Sequence, residues 1–394
     1  MLVAVQSWTA CSSDNGTSTG DAAGTANAAG GQAGATSGGA GSSEAGDTSS
    51  EAGDAGASGA ADVPAPEGDR RTPYTPMNDA QFAAFFAEHH RMAIDMAKME
   101  AKDGASMDAK ALATTIVNAQ TMELSTLETA LAELNQAVPP ASPADPHAEA
   151  DMAAMSSLTG VALDKMFLMD MIAHHAAGLA PARRALANLQ RPDLVALAQA
   201  VFSKQSEEIG TMRQMLTGMG SSDAGEDLAA SATGRADYGF VGDPRITLTP
   251  DSDVTFIDFF VPHHRAAIAM AEEEIARGAS SDVVAMATMM RDDQMTEVDT
   301  MTASRKVLTG VAEPRAPQDD PTMMDEMAMM KKVSGAKLDQ MFLEQMIPHH
   351  GSALPTSHRA KPHLKRAELQ MLADKMFVAQ GEEIGAMNAL LGQN

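Results

Sequence analysis

"FLMDMIAHHAAGLA", Phe167 to Ala180, places two adjacent histidines, His174 and His175, in an apolar, methionine-rich stretch. The arrangement recurs three times, as "FFAEHHRMAIDMA" around His89 and His90, "FFVPHHRAAIAMA" around His263 and His264, and "FLEQMIPHHGSAL" around His349 and His350. Counted from the second histidine of each pair, a glutamine returns at +30 (Gln120, Gln205, Gln294, Gln380) and a glutamate at +33 (Glu123, Glu208, Glu297, Glu383). Self-similarity at fixed spacing marks a duplicated structural unit. A second level of duplication links "LDKMFLMDMIAHH" from Leu163 to "LDQMFLEQMIPHH" from Leu338, a shift of 175 residues (338 − 163). The chain therefore reads as two lobes, 75–217 and 251–394, each made of two unlike halves, with a Gly/Ser/Asp-rich linker over 218–250.

Each unit reads as two helices. Phe82, Phe85, Phe86, His89, Ala93, Met96 and Ala97 follow the helical i, i+3, i+4, i+7 rule, with Asn78 or Asp79 able to cap the start. "KDGAS" around Gly104 breaks the pattern, and a second helix runs from about Asp108 to Leu134, before Pro139 and Pro140. Two hairpins per lobe give an all-α protein of two ferritin-like four-helix bundles in tandem. The length of the linker leads to the expectation that the lobes fold independently. With the first hairpin turning near Ala105, Gln120 lies as far after the turn as His90 lies before it. The +30 glutamine is thus expected to hold a histidine ring, with the +33 glutamate about one turn away.

Composition narrows the function. From residue 12 to 74 the chain is mostly Gly, Ala, Ser, Thr and Asp, too poor in apolar side chains to offset the entropy of ordering, so it reads as a disordered tether. A formal charge of −25 argues against nucleic acid and anionic membrane surfaces as partners. The single cysteine, Cys11, excludes an intrachain disulfide and any Cys-based metal site. Residues 1–11, a short apolar run ending in Thr-Ala-Cys, resemble a bacterial lipoprotein signal with Cys11 as the lipidated residue, although no Lys or Arg precedes the run. That reading expects an exported protein, periplasmic or held at the cell envelope, whose one link to a membrane is the anchor at Cys11. Oligomers are left open.

The chemistry lies in the histidine pairs. His89 shares a helical face with Met92 and Met96, and His263 with Met270, while Met171 and Met346 stand three residues before His174 and His349. Such methionines are usually core filler. Eight histidines beside thioethers, without a thiol in either lobe, nonetheless form a ligand set suited to copper, Cu(I) above Cu(II), and poorly suited to magnesium or calcium. Met152 and Met155, with Met323, Met324, Met327 and Met330 in the equivalent connection, read as exposed capture groups or as an amphipathic turn covering the bundle end. A di-iron centre needs Glu-x-x-His, yet the residues three before these histidines are Phe86, Ala87, Met171, Ile172, Phe260, Val261, Met346 and Ile347.

"MIPHH", "HHxxAxxMA" and the downstream "Q..EI..M" resemble the bacterial family known as domain of unknown function 305, over about 75–217 and 250–392. The resemblance implies a ferritin-like bundle, export in many members, and copper binding in some through Met and His. Carried over, it implicates His89, His90, Met96, Met171, His174, His175, His263, His264, Met270, Met346, His349 and His350. The chain departs from the pattern at Pro181 and Thr356, where the odd units carry a methionine. Three function classes stay open: a non-catalytic copper buffer, which the ligand set favours; a structural or interaction bundle; and a ferritin-like redox enzyme.

Overall fold

The computed structural model describes residues 77–136, 152–220, 250–314 and 321–393, the side chains of 321–325 excepted. The N-terminal signal with Cys11, the 12–74 tether and nearly all of the 218–250 linker lie outside the described residues. The described residues carry helices and no strand. In the first lobe α1 (Asp79–Asp103), α2 (Met107–Glu133), a short α3 (residues 152–156), α4 (Gly160–Ala185) and α5 (Pro192–Gly218) follow one another. The second repeats the order with α6 (Asp253–Arg277), α7 (Ser281–Thr309), α8 (Pro321–Met330), α9 (Ala336–Ala360) and α10 (Ala367–Leu391).

The helix boundaries follow from local chemistry. Asn78 caps α1, accepting from the Gln81 N–H while the Gln81 side chain accepts from the Asn78 N–H, and Ser252 with Thr255 does the same for α6. Ser106 and Ser280 cap α2 and α7. The long helices are clamped at both ends of each bundle. Asp164, near the start of α4, accepts from the Ala105 and Ser106 N–H groups at 2.7 and 3.0 Å. Asp79, at the start of α1, accepts from the Gln190 N–H just beyond α4 at 2.9 Å. Hence α1 and α4 run antiparallel, and Asp339 and Asp253 clamp the second bundle in the same way.

The two bundles pack against each other. Every residue of α4 from Met166 to Ala182 is buried, because its outer face lies against the second bundle. One apolar cluster runs through both lobes, joining Ile209 and Met212 to Ile384 and Met387 and reaching from Phe86 to Phe342. Two helix crossings bring backbones together. A Cβ added to Gly210 would stand 2.9 Å from the Gly385 Cα, and one added to Gly351 would stand 3.0 Å from the Ala176 carbonyl oxygen. In both crossings the partners are 175 apart (385 − 210 and 351 − 176), so each residue meets its own counterpart. A pseudo-two-fold axis therefore passes through both contacts, and the chain is built like an isologous dimer joined covalently. Around the axis Arg183 pairs with Glu344 at 2.5 Å and Asp170 faces His358 at 3.8 Å. The fully buried Arg213 guanidinium lies 5.6 Å from the Phe377 ring centre.

Gly210→Val should therefore destabilise the whole protein by about 1–3 kcal/mol, as overpacking against rigid backbone does. Gly218→Val, which meets nothing within 4 Å, serves as the control in the same helix. Equal thermal shifts for the two variants would show that the crossing does not hold the lobes together.

Candidate metal centre

The eight paired histidines occupy one level of each bundle and divide into two kinds. The second ring of each pair meets the +33 glutamate of its own hairpin: His90 Nε2 lies 2.7 Å from Glu123, His175 2.7 Å from Glu208, His264 2.7 Å from Glu297 and His350 2.8 Å from Glu383. A carboxylate can only accept, so Nε2 carries the proton and Nδ1 the lone pair. In all four rings Nδ1 is buried without a hydrogen-bond partner. The expectation that the +30 glutamine holds this ring is corrected: Gln120, Gln294 and Gln380 are buried with Oε1 lacking a partner, while Gln205 points to the other histidine of the opposite hairpin. Burial alone would raise the Glu297 carboxyl, but the hydrogen bond from His264 and the nearby Lys375 ammonium leave it below its usual range.

The first rings meet each other across the bundle. His89 and His174 stack with centroids 3.9 Å apart and planes 15° from parallel; His263 and His349 lie 3.8 Å apart at 35°. Burial, followed by the charges that His174, His90 and His175 would carry, holds His89 well below the ordinary histidine range. Burial, then His175 and His90, does the same for His174. Both rings are therefore neutral imidazoles at neutral pH, the form that binds a metal.

Thioethers lie beside them. Because α1 and α4 are antiparallel, Met92, one turn after His89, and Met171, one turn before His174, fall on the same side of the imidazole pair. Met92 is half-buried, and Met96, Met171, Met270 and Met346 are buried. The connections differ from the expectation of exposed methionines. Met155 and Met330 are completely buried, and Met152 and Met327 pack half-buried against the core. Of these connections the amphipathic cover is what the structure shows, and the side chains of Met323 and Met324 lie outside the described residues.

Among the described residues no three His, Cys, Asp or Glu groups converge as metal ligands. What each bundle offers is a closely packed imidazole pair, neutral through burial in the first bundle, two further rings oriented by carboxylates, and thioethers. This donor set fits a soft ion of low coordination number, completed by sulfur after a ring turns.

Antiparallel hairpins clamped at both ends around a buried imidazole layer, repeated about a pseudo-two-fold axis, define an all-α tandem bundle protein. The family model described as "Domain of unknown function (DUF305)" matches residues 79–216, 219–305 and 307–391, and the chain belongs to that family. Comparison with curated proteins gives no match. Among solved structures the chain is similar to CopM in its Cu(II)-bound form, with 27% identity over 37% of this chain and 99% of that one and a TM-score of 0.34. CopM in its Cu(I)-bound form gives 27% identity, 36% and 98% coverage and a TM-score of 0.33. A DUF305 protein from Streptomyces coelicolor gives 21% identity, 36% and 93% coverage and a TM-score of 0.33. Among the described residues no helix is long and apolar enough to cross a membrane.

Sequence reasoning passed over the acidic residues of the turns. Glu100 is completely buried beneath Gly104, and burial together with hydrogen bonding to Asp164 pushes its carboxyl up to about 8; Glu274 beneath Gly278 does the same with Asp339. The repeated "LD" of Leu163–Asp164 and Leu338–Asp339 was the signal. The folded chain keeps these protons where the unfolded chain has lost them, so the stability they confer is complete below about pH 4.5 and declines as pH rises to about 8. Replacing Glu100 and Glu274 by Gln should flatten the fall in melting temperature between pH 6.5 and 8, a range above the titration of ordinary carboxylates. An unchanged slope would show that these carboxyls are already ionised at neutral pH.

Proposed function

We propose that this protein is a non-catalytic copper-holding protein that stores or buffers the ion, Cu(I) in preference to Cu(II), within its two bundles. The observation that carries the reading is the stacked His89–His174 pair, neutral through burial, with Met92 and Met171 one turn to the same side. Imidazole and thioether donors in a water-poor core suit a soft monovalent ion. His89, His174, His263 and His349 serve as principal ligands. The second rings, oriented by glutamate, supply Nδ1 as secondary donors. A bound copper would supply no reaction here: the ion is cargo, and the residues bind it and exclude water. The resemblance of residues 1–11 to a lipoprotein signal supports placing the protein at the cell envelope.

A purely structural bundle is the second reading. It is favoured by the four saturated glutamate–histidine contacts and by the lack of a converged three-ligand set among the described residues.

His89→Ala with His174→Ala in the full chain should remove the copper bound by the first bundle and change the melt little. His90→Ala with His175→Ala should also destabilise, by roughly 1–3 kcal/mol for each carboxylate left without its donor. Metal analysis and calorimetry of both double variants separate the readings. Unchanged copper content in the His89/His174 variant overturns the ligand assignment, and no copper in the unaltered protein overturns the function.

A further inference from the structure

A pseudo-two-fold axis presents each contact across it twice, with the lobes exchanging places. At the Gly210–Gly385 crossing both lobes carry glycine, so that crossing would accept any pairing of lobes. One turn away the two versions differ. A Cβ on Gly381 would stand 2.8 Å from Arg213 Cγ and 3.0 Å from its Cδ. These atoms form the stem of a completely buried side chain, which has no room to swing aside. The counterparts, 175 residues along the chain, are Ser206 for Gly381 and Asn388 for Arg213. The α4–α9 crossing has the same bias: a Cβ on Gly351 would stand 3.0 Å from the Ala176 carbonyl oxygen, and the counterpart of Gly351 is Ala176 itself. At both places the first lobe carries the side chain and the second lobe the glycine.

The Arg213 guanidinium finds no hydrogen-bond acceptor among the described residues; it lies 5.6 Å from the Phe377 ring centre, and the half-buried Glu382 offsets part of its charge. A buried cation so poorly matched is weak support for stability. Its bulk, laid on bare backbone, has another effect. Two first lobes set about the same axis would drive Arg213 into the Ser206 Cβ and Ala176 into the opposite Ala176 backbone, each twice. Overpacking against a buried stem and a backbone is destabilising. Two second lobes would meet without collision, but Asn388 over Gly381 and glycine against glycine would leave space unfilled.

We infer that these positions choose the partner: the α4–α5 face of the first lobe takes a second-type lobe, with glycine at 351 and 381, and rejects another first lobe. The partner seated there is the second lobe of the same chain, and a second copy of the chain could replace it only by presenting its own second lobe. Selectivity of this sort comes from a collision built against the wrong partner. The Gly210–Gly385 crossing supplies the close approach, and the unlike contacts decide which lobes make it. Nothing in this choice depends on what the imidazole layers bind.

Two measurements on the metal-free full chain test it. Gly381→Ser puts the first lobe's residue under Arg213 and should lower the melting midpoint by about 3–8 °C. Helix propensity alone would favour the serine. In an Arg213→Asn background the same change should cost less than about a third as much, the non-additivity expected of residues in contact. An equal loss in both backgrounds, or none in either, overturns the inference. The second measurement reads partner choice. Gly385→Val blocks the shared crossing, where a Cβ at 385 would stand 2.8 Å from the Gly210 Cα, and so frees the first lobe. Light scattering should find that variant monomeric. Adding Ser206→Gly and Ala176→Gly lets the first lobe fit a copy of itself and should produce a dimer. A dimer of the Gly385→Val protein, or a monomer of the triple variant, shows that Arg213 and Ala176 do not select the partner and overturns the inference.

Discussion

A buried imidazole must give its N–H to an acceptor, and here that requirement sets the register of every hairpin. Four times the +33 glutamate receives the proton of the second histidine at 2.7 to 2.8 Å. Leaving any one of these donors unsatisfied in an apolar interior would cost on the order of 1–3 kcal/mol. Fixing the second ring fixes the helix that carries it, and so fixes the first ring, which projects about 100° around that helix toward the opposite hairpin. The closely packed first rings, with centroids 3.9 and 3.8 Å apart, are the consequence. The aspartate clamps at the bundle ends then prevent the hairpins from sliding past each other.

The repeats, the helical hairpins and the turn near Ala105 were legible because each has a local signature: spacing, caps, and glycine at a break. The partner of the second histidine was misread by three residues, for a geometric reason. Helical side chains lean toward the N-terminus of their helix. On α1 that lean carries the His90 ring away from the turn, and on α2 it carries a side chain back toward the turn. The residue level with the ring is therefore farther from the turn than backbone counting gives, at Glu123 instead of Gln120. The contact between lobes was readable in principle. From Met166 to Ala182 only Asp170, His174 and His175 carry hydrogen-bonding side chains, and a helix apolar all round is buried all round. Gly210 and Gly385 had no local signature, since a glycine inside a helix shows its purpose only when the opposing backbone is known.

Duplication explains both the likeness of the lobes and their divergence. The glutamate–histidine contacts, the aspartate clamps and the buried turn carboxyls are kept in both halves, because each satisfies a buried polar group and loss of either partner is costly. Residues that satisfy nothing have been free to change. Met92 stands where the sister lobe has Ala266, and Ala177–Gly178 where it has Ser352–Ala353.

The central claim is that paired imidazoles and their flanking thioethers together hold copper. X-ray absorption of the full chain loaded with one equivalent of Cu(I) tests it most directly. The account predicts a first coordination shell containing both imidazole nitrogen and thioether sulfur, with the sulfur contribution reduced by replacing Met92 and Met171. A shell of light atoms only, unaffected by those replacements, would contradict it.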